Sequence, residues 1–349
     1  MASQPPEPPQ TIMLKAFDGI RNTVGAERLG PRDLETAVNI DLDDSGQPRR
    51  RRGYTSKING EWHSICGPLA GKSFGVKDGY LGIIRPLPAF VSLDIYVGAA
   101  PCCYTEVDDE VYFSSADASG VISQAETVAP WGHTSGQGLW FSPVYTPTET
   151  LGEVDGSLLG DPPKATCLAA FKGRIYLAQG KTLWATELFR YHYVDRTRGF
   201  MQFESTITLV MAVDDGLYVG TLGGLFFLQG SFGTFRMQQL STGAVLPGSG
   251  VQVPMQLVHP QAKNQNIPTG IAVVMMTNDG VMAGFAGGSC YNLTSGRVIL
   301  PPGVSAAGLF RQDQGANSYV AVVDSEGAPT STARIGDYID AEIIRAVDR

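Results

Sequence analysis

The chain of 349 residues has no long hydrophobic run, and charged residues make up only 17% of it. No stretch approaches the roughly 18 consecutive apolar residues of a transmembrane helix, so we expect no membrane span. The proline-rich start MASQPPEPPQ has no basic end followed by an apolar core, and it predicts no secretory signal. The formal net charge of −8 disfavours a chain that binds nucleic acid through overall electrostatic attraction.

Residues that commonly carry catalysis or bind metals are few and widely spaced. The five cysteines form no CxxC pair and predict reduced, mostly buried thiols. The four histidines have no HExxH or HxH spacing, and neither GxSxG nor GxxxxGK[ST] occurs. The segment DLDDSG (41–46) loosely resembles a calcium loop but lacks the glutamate at the twelfth loop position. We therefore expect no catalytic residue, no cofactor and no metal.

Glycine and proline are abundant, with 42 and 22 residues, which suits a fold with a turn at every strand end. One phrase recurs along the chain: an acidic or amide pair with glycine, an apolar run, a turn and a second apolar run. It is clearest in VDDGLYVGTLGGLFFLQG (213–230) and TNDGVMAGFAGG (277–288), and looser at 76–83, 107–123, 171–187 and 317–327. Asp-Gly and Gly-Gly tolerate the backbone angles of tight turns, so each copy predicts a β-hairpin.

Hairpins repeated in this way predict an all-β fold. We expect a β-propeller-like ring of about five to seven small antiparallel sheets, with a period near 43 residues that insertions lengthen. A non-repetitive β-sandwich is the alternative. One domain would span 17–349, behind a flexible proline-rich segment at 1–16. Segment 337–347 fits either a helix or a last strand, because its Ile and Val residues also favour sheets.

Two stretches rich in Pro, Gly, Thr and Gln interrupt the repeats, at 124–166 and 241–269. Loops of this length are usually functional, so we expect insertions on the rim that contact neighbouring chains. The first stretch contains two tryptophans that we predict to bind a partner, Trp131 and Trp140.

A second candidate contact is a run of four arginines directly after the acidic turn: Arg49, Arg50, Arg51 and Arg52. The run either binds an acidic partner surface or phosphate, or it is a charged edge strand. In the second interpretation the neighbouring residues Asp41, Asp43 and Asp44 neutralise it. Either way, the residues indicate binding rather than catalysis.

Segment 17–55 (FDGIRNTVGAERLGPRDLETAVNIDLDDSGQPRRRRGYT) resembles the opening of virion proteins from tailed bacteriophages. In these, a G-I-N phrase leads to E-A-x-N-x-D and then to G-x-x-x-x-R-x-G. The matching residues are Gly19, Ile20, Asn22, Ala37, Asn39, Asp41, Gly46, Arg50, Arg52 and Gly53. A second similar patch covers 169–195 and 200–221. Together they resemble the β-propeller tail nozzle, or packaged-DNA stabilisation, proteins of short-tailed phages.

The resemblance implies a structural, non-enzymatic tail protein of the virion, assembled in the host cytoplasm. It would form a homo-oligomeric ring, commonly a hexamer, below the portal or head–tail adaptor and above distal tail proteins. Genomic double-stranded DNA would pass through the lumen without sequence-specific binding, and the ring would help to retain and then release it. An acidic chain suits this role because it does not hold DNA.

In such a ring, arginines facing the channel would grip the duplex, so we expect the run to contact protein instead. A carbohydrate-binding or carbohydrate-cleaving propeller that stacks sugars on the tryptophans is the alternative function. A cellular scaffold propeller is a third, although the WD dipeptides of that class are absent.

Overall fold

The structure is a computed structural model, and nearly every regular element in it is a β-strand. Short 3-10 turns occur at Ala26–Arg28 and Ala286–Gly288, and one short α-helix at Met255–Val258. The residues that the structure describes are 16–37, 40–42, 46–50, 57–86, 89–132, 150–151, 154–155, 159–258, 269–299, 303–313, 316–325 and 340–344. The predicted all-β class is confirmed.

Four short strands precede the main sheets: β1 (Gly19–Ile20), β2 (Asp33–Leu34), β3 (Ile40–Leu42) and β4 (Pro48–Arg50). β1 and β2 pair in parallel, whereas β3 and β4 form an antiparallel hairpin. The first sheet then contains β5 (Trp62–Leu69), β6 (Lys72–Lys77), β7 (Tyr80–Arg85) and β8 (Ala89–Tyr96). The second contains β9 (Cys103–Val107), β10 (Glu110–Ser114), β11 (Ser119–Ile122) and β12 (Val128–Pro130).

Two small strand pairs accompany the third sheet. They are formed by β13 (Thr150–Leu151) with β14 (Val154–Asp155), and by β15 (Leu159–Gly160) with β19 (Val194–Asp195). The third sheet itself contains β16 (Cys167–Phe171), β17 (Arg174–Gln179), β18 (Thr182–Ala185) and β20 (Phe200–Gln202).

The remaining sheets again follow the order of the chain. The fourth contains β21 (Ile207–Val213), β22 (Gly216–Thr221), β23 (Gly224–Gln229) and β24 (Arg236–Ser241). The fifth contains β25 (Val251–Pro254), β26 (Ile271–Thr277), β27 (Gly280–Gly284) and β28 (Cys290–Asn292). The sixth has three described strands, β29 (Gly303–Asp313), β30 (Ala316–Ser325) and β31 (Asp340–Ile344).

In the second to fifth sheets the hairpin phrase lies at the turn between the first and second strands, whereas in the first sheet its Asp78-Gly79 turn joins the second and third strands. In the fourth sheet, Asp214 and Asp215 form the turn between β21 and β22. In the fifth sheet, Gly280 has φ +131°, and a Cβ there would lie 2.2 Å from Thr294 Oγ1, so only glycine fits. In the second sheet, Asp108 and Asp109 take positive φ angles without glycine, which aspartate tolerates better than most residues.

One apolar core lies between each two consecutive sheets. Residues that alternate along a central strand therefore belong to different cores, since they point to opposite faces. Tyr112 packs toward the third sheet, whereas Phe113 packs toward the first. Likewise Leu217 packs toward the third sheet and Tyr218 toward the fifth. Burial on both faces explains why the central strands contain nearly continuous apolar runs.

The first strands of the sheets lie against one another. β5 contacts β9, β9 contacts β16, β16 contacts β21, and β25 contacts β29. The later strands of each sheet lie outside them, and outer strands such as β8 and β24 are largely exposed. Sheets arranged with their first strands inside and their last strands outside form a β-propeller-like array, as predicted.

Parts of both predicted insertions are built into the array, so the prediction of loops throughout these stretches is wrong there. In 124–166, β12 is the outer strand of the second sheet and β15 pairs with β19. In 241–269, β25 is the first strand of the fifth sheet. These strands have only two to four residues, too few for a visible alternation of apolar and polar residues. Residues 133–149 and 259–268 lie outside the described residues.

At the C-terminal end, the alternative of a last strand is confirmed. β31 pairs antiparallel with β30 and supplies the third described strand of the sixth sheet.

The interface between the fourth and fifth sheets contains a buried hydroxyl that yields a stability test. Tyr218 Oη donates a hydrogen bond to the carbonyl oxygen of Phe285 at 2.6 Å and lies 3.0 Å from that of Ser289. We expect Tyr218→Phe to lower the free energy of unfolding by about 0.5–1.5 kcal/mol, because a buried hydrogen bond is lost while both carbonyl groups keep a backbone donor, the N–H of Gly288 for Phe285 and the N–H of Phe285 for Ser289. Urea denaturation followed by tryptophan fluorescence measures the change.

The matched control is Tyr96→Phe, whose hydroxyl belongs to a side chain that is 65% exposed. It should leave the urea midpoint unchanged. Equal midpoints for the two variants would contradict a structural role for the Tyr218 hydroxyl.

Candidate interaction surfaces

The described half of the arginine run lies on an exposed hairpin. Arg49 and Arg50 belong to β4 and are both exposed. In the register of the hairpin, Arg49 stands opposite Asp41 and Arg50 opposite Ile40. The hairpin register thus places an aspartate position of one strand opposite an arginine position of the other. Arg51, Arg52, Asp43 and Asp44 lie outside the described residues.

The turn of this hairpin is tied to the start of the described chain. The backbone N–H of Phe17 donates a hydrogen bond to the carbonyl oxygen of Gly46 at 2.8 Å. Gly46 has φ +75°, and a Cβ at this position would lie 2.6 Å from the Phe17 oxygen. Gly46 is thus required for a close approach of two backbones.

Segment 16–37, which we call the N-terminal segment, is held against the residues that follow the fifth sheet. The side chain of Asn22 bonds both backbone groups of Ile299: Nδ2 donates to the carbonyl oxygen at 2.9 Å, and the Ile299 N–H donates to Oδ1 at 2.6 Å. The Asn22 N–H donates to the Arg297 oxygen at 3.0 Å, and Thr23 Oγ1 donates to the Gly296 oxygen at 3.0 Å. Asparagine here completes a backbone-like pairing that a residue without an amide cannot make.

Ion pairs hold the two arms of the N-terminal segment together. Arg32 Nη2 lies 2.7 Å from Asp18 Oδ1, and Arg21 Nη1 lies 3.3 Å from Asp33 Oδ2. Burial acts to raise the pKa of Asp33, but hydrogen bonds from the Gly30 N–H and the Arg21 guanidinium outweigh it and lower this pKa. The ion pair between Arg21 and Asp33 therefore persists to a lower pH than an aspartate with an ordinary pKa would allow.

Trp131 is a core residue, which differs from its predicted place on a contact surface. Its side chain is 6% exposed and lies in the core between the second and third sheets. Nε1 donates to the Tyr191 oxygen at 2.8 Å, and the ring meets Tyr112 edge to face at 5.2 Å. The prediction was wrong because it was based on the proline- and glycine-rich stretch in which Trp131 lies. In the structure Trp131 directly follows β12. An indole buried in this way cannot stack on a sugar, and Trp140 lies outside the described residues.

The cysteine thiols lie in surroundings that make them unreactive. All five cysteines are free; Cys102 is buried and the other four are half-buried, which makes them less buried than predicted. Burial raises the pKa of Cys102 and of Cys290 to about 12 and that of Cys167 to about 11. Such thiols are protonated at neutral pH and are poor nucleophiles.

The described residues form neither a metal-binding cluster nor a membrane-spanning helix. They contain no group of three or more His, Cys, Asp or Glu side chains placed to hold a metal ion. Within the same residues, no helix has the length and apolar character needed to cross a membrane.

Sequence reasoning missed the exposed apolar side chains on the two end sheets of the array. In the first sheet these include Ile65 and Tyr96, exposed by 64% and 65%, and in the sixth sheet Leu309, exposed by 59%. Their strands have the same apolar character as the buried ones, so the sequence alone gives no sign that these faces are uncovered.

Comparison with known proteins gives no family assignment. No protein-family model matches the chain, and no curated protein matches it. Among solved structures, the extracellular domain of BT4673 from B. thetaiotaomicron is 13% identical with a TM-score of 0.46. That comparison covers 79% of this chain, which spans only 33% of the BT4673 domain.

Two further structures are similar at the same level. BBS1N, solved in complex with ARL6DN, is 11% identical with a TM-score of 0.45, and the match covers 81% of this chain and 83% of that one. Sqt1 from Saccharomyces cerevisiae is 12% identical with a TM-score of 0.37, covering 69% and 64%. Similarities of this size carry no argument about function.

The Asn22 contacts yield a test of how the N-terminal segment is held. Asn22→Ala removes both side-chain hydrogen bonds to Ile299, which we expect to lower the local opening free energy by about 1–3 kcal/mol. Amide hydrogen exchange in residues 16–37 should then become roughly ten- to a hundredfold faster, while exchange in the sheets stays the same.

Glu27→Gln is the control for this test. Glu27 makes a 4.0 Å contact with Arg28, and both side chains are more than 70% exposed. This variant should exchange like the wild type. Unchanged exchange in Asn22→Ala would show that the amide does not anchor the segment.

Proposed function

We propose that this protein is a structural component of a phage tail: a nozzle protein that forms a ring below the portal or adaptor. The ring continues the DNA channel, helps to retain the packaged genome and then releases it. The proposal rests on the phage-like motif in 17–55 and on the contacts that residues of this motif make in the fold. Asn22 anchors the segment to Ile299, and Gly46 permits the close contact with Phe17.

The charge distribution of the inner strands supports a DNA route outside the single propeller. The first strands of the six sheets, β5, β9, β16, β21, β25 and β29, contain one cationic residue, Arg311 in β29, and two acidic ones, Glu106 and Asp313. The Glu106 carboxylate is used inside the chain, where it accepts a hydrogen bond from the Ala70 N–H at 2.6 Å. Phosphate binding needs several cationic contacts, so these strands offer DNA no attachment. In our proposal the duplex therefore passes through the lumen of the assembled ring.

The test of this function is a deletion in the phage that encodes the chain. Particles made without the protein should package DNA and then lose it, and a plasmid-encoded copy should restore DNA retention. Antibody labelling of intact particles in the electron microscope should place the protein at the single tail vertex. Particles that lack the protein yet keep and eject their DNA normally would refute the proposal.

The exposed arginines yield a second test, of which partner they contact. We expect Arg49→Gln/Arg50→Gln to weaken docking onto the neighbouring ring about three- to tenfold, as the loss of two exposed ion pairs predicts. The isolated chain should unfold at the same temperature as the wild type. Incorporation into particles, measured by quantitative immunoblotting, reports the docking.

Arg28→Gln/Arg236→Gln removes the same charge from two other exposed positions and is the control. It should be incorporated like the wild type. If the β4 variant were incorporated normally and only the rate of DNA ejection changed, the arginines would line the channel and not a protein contact.

A further inference from the structure

The first sheet has one face that nothing covers in the described residues. Its β6 and β7 strands direct Phe74 and Leu81 toward the second sheet. The opposite face, which we call the leading face, carries bulky apolar groups on alternate positions: Trp62, Ile65, Tyr80, Ile84, Phe90 and Tyr96. The Trp62 and Phe90 rings meet edge to face at 5.3 Å, and those of Tyr80 and Tyr96 at 5.4 Å. The leading face is therefore an ordered aromatic surface.

Exposure shows that the leading face has no partner within the described chain. Ile65 is 64% exposed, Tyr96 65% and Tyr80 46%. Large apolar side chains clustered at such exposure mark a contact surface, because a lone soluble chain rarely leaves such a patch in water.

The sixth sheet has a matching uncovered face at the other end of the array. Ala306, Tyr319 and Ala321 point toward the fifth sheet. The opposite face, which we call the trailing face, carries small and aliphatic residues in facing pairs: Ala307 with Val322, and Leu309 with Val320. Leu309 is 59% exposed and Val322 42%.

The two faces are complementary in size and charge. Bulky rings on the leading face would meet alanine, valine and leucine on the trailing face. The core between the fifth and sixth sheets is built this way, with Phe285 and Met276 packed with Ala306 and Ala321. On the leading face, Lys77 Nζ lies 5.9 Å from the centre of the Phe90 ring. On the trailing face, exposed Asp324 stands opposite Ser305. A carboxylate and an ammonium group thus face a common contact, although Asp78 Oδ2, at 2.8 Å from Lys77 Nζ, already compensates part of the ammonium charge.

We propose that the leading face of one copy packs against the trailing face of a second copy. The construction of the chain itself indicates a second copy as the partner. Five inter-sheet cores each join two such faces, and only the end faces lack a neighbouring sheet within the described residues. The next copy supplies the missing sheet in both directions. Its contact is a sixth core of the same kind, formed between chains.

Such a contact uses different surfaces on the two copies, so a dimer always keeps one leading face and one trailing face uncovered. Each added copy presents a new free face, and the assembly must either close into a ring or grow as a filament. The expectation of a closed ring rests on the proposed function, whereas the contact itself rests on the two faces. The inference therefore assigns the surface through which the ring would be built.

Two single substitutions separate this contact from every other arrangement. Ile65→Asp places a charge on the leading face, and Leu309→Asp places one on the trailing face. Each variant alone should be monomeric by sedimentation velocity at concentrations where the wild type is oligomeric. An equimolar mixture should form a 1:1 dimer that grows no further, because one intact leading face meets one intact trailing face. The dimer also proves that both variants are folded.

Leu222→Asp is the matched control, since Leu222 is 55% exposed in the turn between β22 and β23. It should assemble like the wild type. A wild-type chain that stays monomeric throughout the concentration series would overturn the contact, and so would a mixture that stays monomeric. A single variant that assembles like the wild type would overturn it as well.

The outcomes for the contact and for the proposed function are separable. If the wild type assembles through these faces but is absent from phage particles, the contact stands and the proposed function fails. If the protein is present in particles and both variants are incorporated like the wild type, the function stands and the contact is wrong.

Discussion

A small antiparallel sheet with apolar side chains on both faces has to be covered on both sides, and this requirement organises the whole molecule. No sheet of three or four strands can bury its own faces, so each one depends on its neighbours in the array. Fully buried residues such as Tyr112, Tyr176 and Tyr218 lie at the second strands, where both neighbours are present. The stability of the fold thus comes from the contacts between neighbouring sheets and not from any single sheet. The dependence is greatest at the ends, where a neighbour is missing.

The N-terminal segment solves a different problem, since it has too few apolar residues to form a core of its own. None of its residues is fully buried. It keeps its shape through polar contacts instead: ion pairs between its arms, a shared backbone contact at Gly46, and the amide of Asn22. Contacts of this kind specify one geometry but contribute little energy each.

Turn chemistry and continuous apolar runs were enough to predict the central hairpins of the array. The Asp214-Asp215 pair and Gly280 are the turn residues that predict two of these hairpins. Pairings between distant parts of the chain could not be foreseen, as β15 with β19 shows, because two-residue strands have no periodicity. Trp131 was misplaced for a related reason: whether an indole is covered depends on the third sheet, which lies elsewhere in the sequence.

The arginine run illustrates what local sequence does determine. Acidic residues close to the arginines in sequence predicted local neutralisation of the run, and the hairpin register places Asp41 opposite Arg49. Whether that hairpin touches another molecule is a property of the assembly. Coverage of the end sheets is equally invisible in the sequence, since a strand is apolar whether its neighbour is in the same chain or the next.

The bond between Asn22 and Ile299 spans 277 residues, and this separation fixes when it forms. The N-terminal segment leaves the ribosome before the sheets that follow it, yet its binding site is completed only when Ile299, beyond the fifth sheet, has been synthesised. Until Ile299 has been synthesised the segment is undocked, and its low apolar content disfavours aggregation during this time. A chain that stops early never acquires the site and leaves the segment undocked. Docking of the segment thus marks a polypeptide that has been made through its fifth sheet.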